Sequence, residues 1–175
     1  MKILETDRLI LRHQVLEDLD NLFALYCQKD IREFIPDAPR NYEETKKELE
    51  WHMNGHPENS NLGLWASIHK ETNKYIGRCG LLPWTIDGQK EVEVAYLISN
   101  EYWGQGLGTE AAQAILAYGF EVLNLPRLIC LIDEKNLASV RIAAKLGMIF
   151  ERVGRDEMGS FLLYSKSKAS VPTAS

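Results

Sequence analysis

The segment EVEVAYLISNEYWGQGLGTEAAQAILAYGFEVL, residues 91–123, constrains the fold more than any other part of the chain. It opens with β-branched and aromatic residues that suit a strand, passes through Gly104, Gly106 and Gly108, and ends in a periodic apolar run. Glycines at alternate positions leave the backbone N–H groups without flanking side chains. A helix starting there adds further unpaired donors and the positive end of its dipole. Such a junction is an anion cradle, with phosphate or pyrophosphate as the expected guest.

The spacing predicts the helix from Thr109, with Ala112, Ile115, Leu116, Gly119, Phe120 and Leu123 on one stripe and a stop at Asn124 and Pro126. Before it come a strand at Leu9–Arg12 and a helix from about Leu16 with Leu19, Leu22, Phe23 and Tyr26 on its inner face. A proline-broken loop follows around Ile35–Pro39, then a helix from Tyr42 to Met53, capped by Asn41 with Glu44 at capping-box spacing. Strands at Leu62–Ile68, Tyr75–Leu81 and Glu91–Ile98, the last two joined through Asp87-Gly88, read as an antiparallel meander. After the long helix come a buried strand at Arg127–Ile132, and a helix capped by Asn136 with Ser139, Ile142, Ala143 and Leu146 inward. A hairpin of Ile149–Val153 and Phe161–Ser165 closes the fold. The order implies an α/β (α+β) architecture: one mixed, mostly antiparallel sheet with helices on both faces. Residues 1–165 form the expected single domain, and 166–175 an unstructured tail.

Composition removes several function classes. A formal charge of −5 argues against an electrostatic grip on nucleic acid or an anionic membrane. No run of ~18 apolar residues and no leading apolar segment occurs, so a cytoplasmic protein is expected. Cys27, Cys79 and Cys130 are widely spaced and read as buried free thiols. His13, His52, His56 and His69 share no metal-ligand spacing and read as surface or loop residues, so no metal site is expected.

Three phosphate-binding patterns compete for the glycine loop. The G-x-x-x-x-G-K-[ST] string of a P-loop is absent. Gly104 and Gly106 fit G-x-G-x-x-G, and Asp133 follows the next strand, but Thr109 replaces the third glycine. Antiparallel strands also precede the loop, and too little chain follows Asp133 for the second half of a dinucleotide fold.

The third pattern fits. Trp103-Gly-Gln-Gly-Leu-Gly108 resembles the Q/R-x-x-G-x-G/A loop of the GNAT acetyltransferase superfamily, with Trp103 at the usual Arg or Gln position. Asn136-Leu-Ala-Ser139 through Lys145-Leu-Gly-Met148, Thr6-Asp-Arg-Leu-Ile-Leu-Arg12 and Val92–Leu97 resemble three further segments of that superfamily, in the same order. The resemblance points to the branch of ribosomal-protein N-terminal acetyltransferases and implies the GNAT fold. It also implies acetyl-CoA as cosubstrate and an amine acceptor, either a protein N-terminus or a small molecule, with monomer and homodimer both open. The cosubstrate's pyrophosphate would lie on the backbone of Gly104, Gln105, Gly106, Leu107, Gly108 and Thr109. Its pantetheine arm would lie along Tyr96 and Ile98, with Asn136 and Ser139 in contact.

Acetyl transfer to an amine needs a proton acceptor and a partner for the departing thiolate. Neutralising a lysine amine at pH 7 costs roughly 4.6 kcal/mol, an α-amine only about 1. Glu93, mid-strand between apolar neighbours, is the candidate base, since desolvation raises a carboxyl pKa toward neutrality. Many superfamily members carry a Tyr where this chain has Ala143, so Ser139 is named instead as the candidate acid. Trp51, Trp65 and Trp84 divide between an acceptor pocket and plain packing. A non-catalytic acyl-CoA sensor and a dinucleotide-dependent oxidoreductase are the alternatives.

Overall fold

The computed structural model describes residues 1–169. Eight strands form one sheet in the order β1-β2-β3-β4-β5-β6-β8-β7. They are β1 (Lys2–Glu5), β2 (Leu9–Arg12), β3 (Gly63–His69), β4 (Lys74–Ile86), β5 (Gln89–Ile98), β6 (Arg127–Asp133), β7 (Ile149–Asp156) and β8 (Gly159–Ser167). Every neighbouring pair is antiparallel except β5 and β6, which are parallel and in register only at Glu93 and Ile129. A mostly antiparallel sheet with one parallel junction is not a doubly wound dinucleotide fold, and that alternative falls.

The helices are α1 (Leu19–Cys27), α2 (Lys29–Arg32), α3 (Tyr42–His52), α4 (Leu107–Glu121) and α5 (Leu137–Lys145). They cover both faces. One apolar cluster joins Leu107, Ala111, Ala112 and Ile115 of α4, and Ala143 from α5, to Trp65, Val94, Ile98, Leu128 and Cys130 of the sheet. The other joins Leu22, Leu25 and Tyr26 of α1 to Leu49 of α3, with Tyr75 and Leu97 of the sheet against them. Strand alternation makes this possible: Val92, Val94, Tyr96 and Ile98 of β5 face α4, whereas Leu97 faces α1 and α3. Trp65 is fully buried with its ring edge-on to Tyr118 at 5.7 Å, so it packs the core and lines no pocket.

The Asn41 cap is present: its side-chain oxygen accepts from the Glu44 amide at 2.9 Å, and Glu44 Oε2 accepts from the Arg40 amide at 2.8 Å. Because α3 is polar on most of its surface and buries only Thr45, Leu49 and His52, it leans on this cap. Asn41→Ala is expected to lower stability by about 1 kcal/mol, or about 2–4 °C in Tm. An unchanged melting curve would contradict that dependence.

Several expectations need correction. α4 starts at Leu107, two residues before Thr109, because Gly106 itself is the N-cap residue. It ends at Glu121, and Asn124 with positive φ turns the chain. β1 and α2 have sequences too short for a period to show. β4 runs five residues past Leu81 despite Pro83, since β3 stops pairing with it at Leu81 and a strand edge tolerates proline. Asp87 and Gly88, both with positive φ, close the two-residue hairpin. Cys27 is exposed, whereas Cys79 and Cys130 are buried. His52 is buried rather than a surface residue, and burial beside Arg78 lowers its pKa to about 4, keeping it neutral. Of the expected tail, Lys166 and Ser167 belong to β8, opposite Leu128 and Arg127. Lys168 donates its amide to Pro126. Residues 170–175 lie outside the described part. Among the described residues no helix is long and apolar enough to cross a membrane.

Candidate active site

The glycine loop leaves β5 through a 3-10 turn at Asn100–Tyr102 and enters α4 at Leu107. Gly104 has φ 76° and Gly106 φ 78°, in the left-handed region where a side chain is strained. The first intrahelical bond runs from the Glu110 amide to the Gly106 carbonyl at 3.0 Å. The amides of Leu107, Gly108 and Thr109 are therefore the unpaired donors of the first turn, at the positive end of a 15-residue helix.

Two side chains fix this loop. The Trp103 indole donates to the Ile98 carbonyl at 2.8 Å, clipping the loop to the end of β5. Arg8, from the β1–β2 connection, donates Nη1 to the Gln105 carbonyl at 2.8 Å and Nε to Glu110 at 2.7 Å. Thr6 adds its hydroxyl to Glu110 at 2.5 Å, and against the upward push of burial these bonds with Arg8 hold that carboxyl below its ordinary pKa. Beside the loop lies an open hollow of about 640 Å³, lined in part by Arg8, Gly106, Thr109, Gln113 and Lys145. Sequence reasoning missed Arg8 and Lys145 as site residues, although both lie inside segments it had singled out.

The start of α4 lies beside the end of β5, where a Cβ on Gly108 would stand 3.9 Å from the Ile98 side chain, and past Glu93 β5 and β6 are no longer in register. The Val94 carbonyl accepts from the buried Cys130 thiol at 3.4 Å, on the side facing β6. The two-residue period of an antiparallel strand then puts the Tyr96 and Ile98 backbone groups on that side too. No β6 residue is in register with them, and Trp103 already holds the Ile98 carbonyl. The Tyr96 hydroxyl donates to the Ser139 carbonyl at 3.1 Å, while Asn136 Oδ1 accepts from the Ser139 amide at 3.1 Å and caps α5. Ser139 and Tyr96 are thus neighbours across the gap, and burial raises the pKa of both the Tyr96 phenol and the Cys130 thiol.

Glu93 occupies the opposite face of β5 from Tyr96, at the last point where β5 and β6 pair. Desolvation raises its pKa to about 7, against the opposing pull of the Trp84 indole and the Leu131 amide. Its neighbour Glu91 has a different fate, accepting from Arg127 Nε at 3.1 Å, with Arg127 also paired to Glu151. The two strand glutamates, alike in sequence, are therefore separated by their partners. Deeper on this face Arg78 is enclosed by Tyr26 of α1 and Glu48 of α3. It bonds the Tyr26 hydroxyl and lies 5.2 Å from that ring's centre. No group of three or more metal-ligating side chains is assembled among the described residues.

Residues 8–149 match the acetyltransferase (GNAT) domain family, and the chain belongs to it. An uncharacterised protein of Bacillus subtilis, YkkB, is 31% identical over 87% of this chain and 88% of its own length. A GNAT-family acetyltransferase of Bacillus anthracis superposes with a TM-score of 0.81 at 22% identity, covering 95% of this chain and 98% of that one. The ribosomal L7/L12 alpha-N-protein acetyltransferase RimL in complex with coenzyme A superposes with a TM-score of 0.77 at 16% identity, covering 96% and 98%. The chain is an acetyltransferase of this fold.

Proposed function

We propose that the protein transfers the acetyl group of acetyl-CoA to a primary amine, a protein N-terminus or a small-molecule amine, by direct attack on the thioester. The observation that carries this reading is the loop geometry: left-handed Gly106 followed by unpaired amides at Leu107, Gly108 and Thr109. Those amides, with the backbone of Gly104 and Gln105, would hold the pyrophosphate. The adjoining hollow carries Lys145 beside Asp7 and the Arg8–Glu110 ion pair, and the Lys145 ammonium would face the nucleotide end. The Tyr96 backbone and the Ile98 amide would take the pantetheine arm as an added strand. The complex of RimL with coenzyme A shows that a protein of this fold accepts that carrier.

Acetyl-CoA supplies an activated acyl thioester. This chain supplies the proton chemistry. Glu93, poised near neutrality, takes the proton that the acceptor ammonium must lose before its nitrogen can attack. One C–N bond then replaces one C–S bond, and the departing thiolate needs a proton. Ser139 stays the residue we assign to that task, beside the Tyr96 hydroxyl, which widens the choice of donor at the gap.

Thiol release from acetyl-CoA, followed across a panel of peptide N-termini and small amines, tests the reading. The expected result is acceptor-dependent release. Binding without release for every acceptor class would leave an acyl-CoA sensor instead. Acetyl-CoA is also expected to raise the Tm, by about 2.7 kcal/mol of added stability at a hundred times its Kd, and NAD to leave it unchanged. Equal shifts with both would contradict the loop assignment.

A further inference from the structure

The β4–β5 hairpin sets an indole against the carboxylate assigned above as proton acceptor. Trp84 is 44% exposed, yet its Nε1–H is not left to water and donates to Glu93 Oε2 at 2.7 Å. The register accounts for the meeting. Leu82 lies opposite Glu93 and Trp84 opposite Glu91, so the indole reaches one diagonal step along the same face. Glu91 is drawn aside by Arg127, which leaves Glu93 as the partner of Trp84.

We infer that Trp84 is a positioning residue for the transfer reaction: its indole N–H holds one oxygen of Glu93 and thereby presents the other to the incoming amine. The inference rests on Glu93 acting as the base. An indole suits the task chemically, because it donates one hydrogen bond and accepts none. It can orient the carboxylate without competing for the amine's proton, which a hydroxyl or amide at the same place would do.

Other groups bear on Glu93 from each surrounding element. Arg78 on β4 and Asp37 in the α2–α3 connection act on it through space, the Leu131 amide reaches it from β6, and Tyr96 and Cys130 feel its charge. Trp84 is the strongest of those that favour its charged form. Trp84→Phe keeps an aromatic ring beside the carboxyl but deletes the donor, so burial is opposed less and the carboxylate becomes harder to form. Because the base works as the carboxylate, the acid limb of kcat/KM should move to higher pH, by about one pH unit. Activity then falls about tenfold below the limb and recovers above it.

The experiment measures kcat/KM against pH for the wild type, Trp84→Phe, Glu93→Gln and the double variant. It also titrates the Glu93 carboxyl carbon by NMR in the wild type and Trp84→Phe. Trp84→Leu removes the same donor should the Phe variant fail to fold. An upward move of both the limb and the carboxyl midpoint, with no pH-dependent effect of Trp84→Phe on the Glu93→Gln background, supports the inference. A uniform loss at all pH values, or an unmoved carboxyl midpoint, overturns it. Persistence of the wild-type limb in Glu93→Gln would instead remove Glu93 as the base, and that outcome would overturn the positioning role together with its foundation.

Discussion

Gly106→Val should bind acetyl-CoA at least ~100-fold more weakly than the wild type, measured by calorimetry on folded protein. The reason is the backbone and not a collision. A Cβ at this position would meet only Arg8 Nη2, at an ordinary 3.6 Å. Valine, however, strongly disfavours φ 78°, the conformation that aims the next amides outward. Relaxing it rotates the N–H of Leu107 and its neighbours away from any shared anion. Each charge-assisted bond of this type is worth about 1.5–3 kcal/mol, so losing one or two accounts for the factor of ~100. Gly106→Asn provides the control, since asparagine enters the left-handed region more readily. It should keep far more affinity than the valine variant. Retained affinity in Gly106→Val would remove the loop as the phosphate site.

Glu93→Gln should lower kcat about 100-fold at neutral pH with an acceptor of lysine-like basicity, and leave the Kd for acetyl-CoA within about twofold. Glutamine retains the shape and the acceptor oxygen for Trp84, so what is lost is the ability to take a proton. The effect should shrink for acceptors of lower pKa, because an α-amine costs about 1 kcal/mol to neutralise at pH 7 and a lysine roughly 4.6. The sign with pH follows from the raised pKa of about 7: the wild-type base is protonated and idle below it, active above. The variant's rate should lose that limb. Unchanged turnover across the acceptor panel would exclude Glu93 from the mechanism.

The parts of this site legible in the sequence are those encoded locally. Gly104 and Gly106 before a periodic run mark the left-handed turn into α4, and Asn41 and Asn136 cap α3 and α5 as their spacing implies. The face of β5 that buries Val94 and Ile98 follows from alternation alone. Partnerships across the sheet are another matter. Arg8 meets Glu110 over a separation of 102 residues, and nothing in either neighbourhood signals it. The enclosure of Arg78 by Tyr26 and Glu48 needs α1 and α3 to be docked first. Trp84 and Glu93 form an intermediate case. Asp87-Gly88, read as a two-residue turn, sets Ile86 opposite Gln89 and therefore Trp84 opposite Glu91. Ending the strand at Leu81 concealed that register, since β4 runs on to Ile86. The parting of β5 and β6 beyond Glu93 has no sequence signature, because it reflects where two strands far apart in the chain cease to align.

Isothermal titration of the purified wild-type protein with acetyl-CoA tests the central claim most directly. Saturable heat at one equivalent per chain is the predicted result, with none from NAD under the same conditions. The absence of saturable binding would contradict the account at its root, whatever the fold.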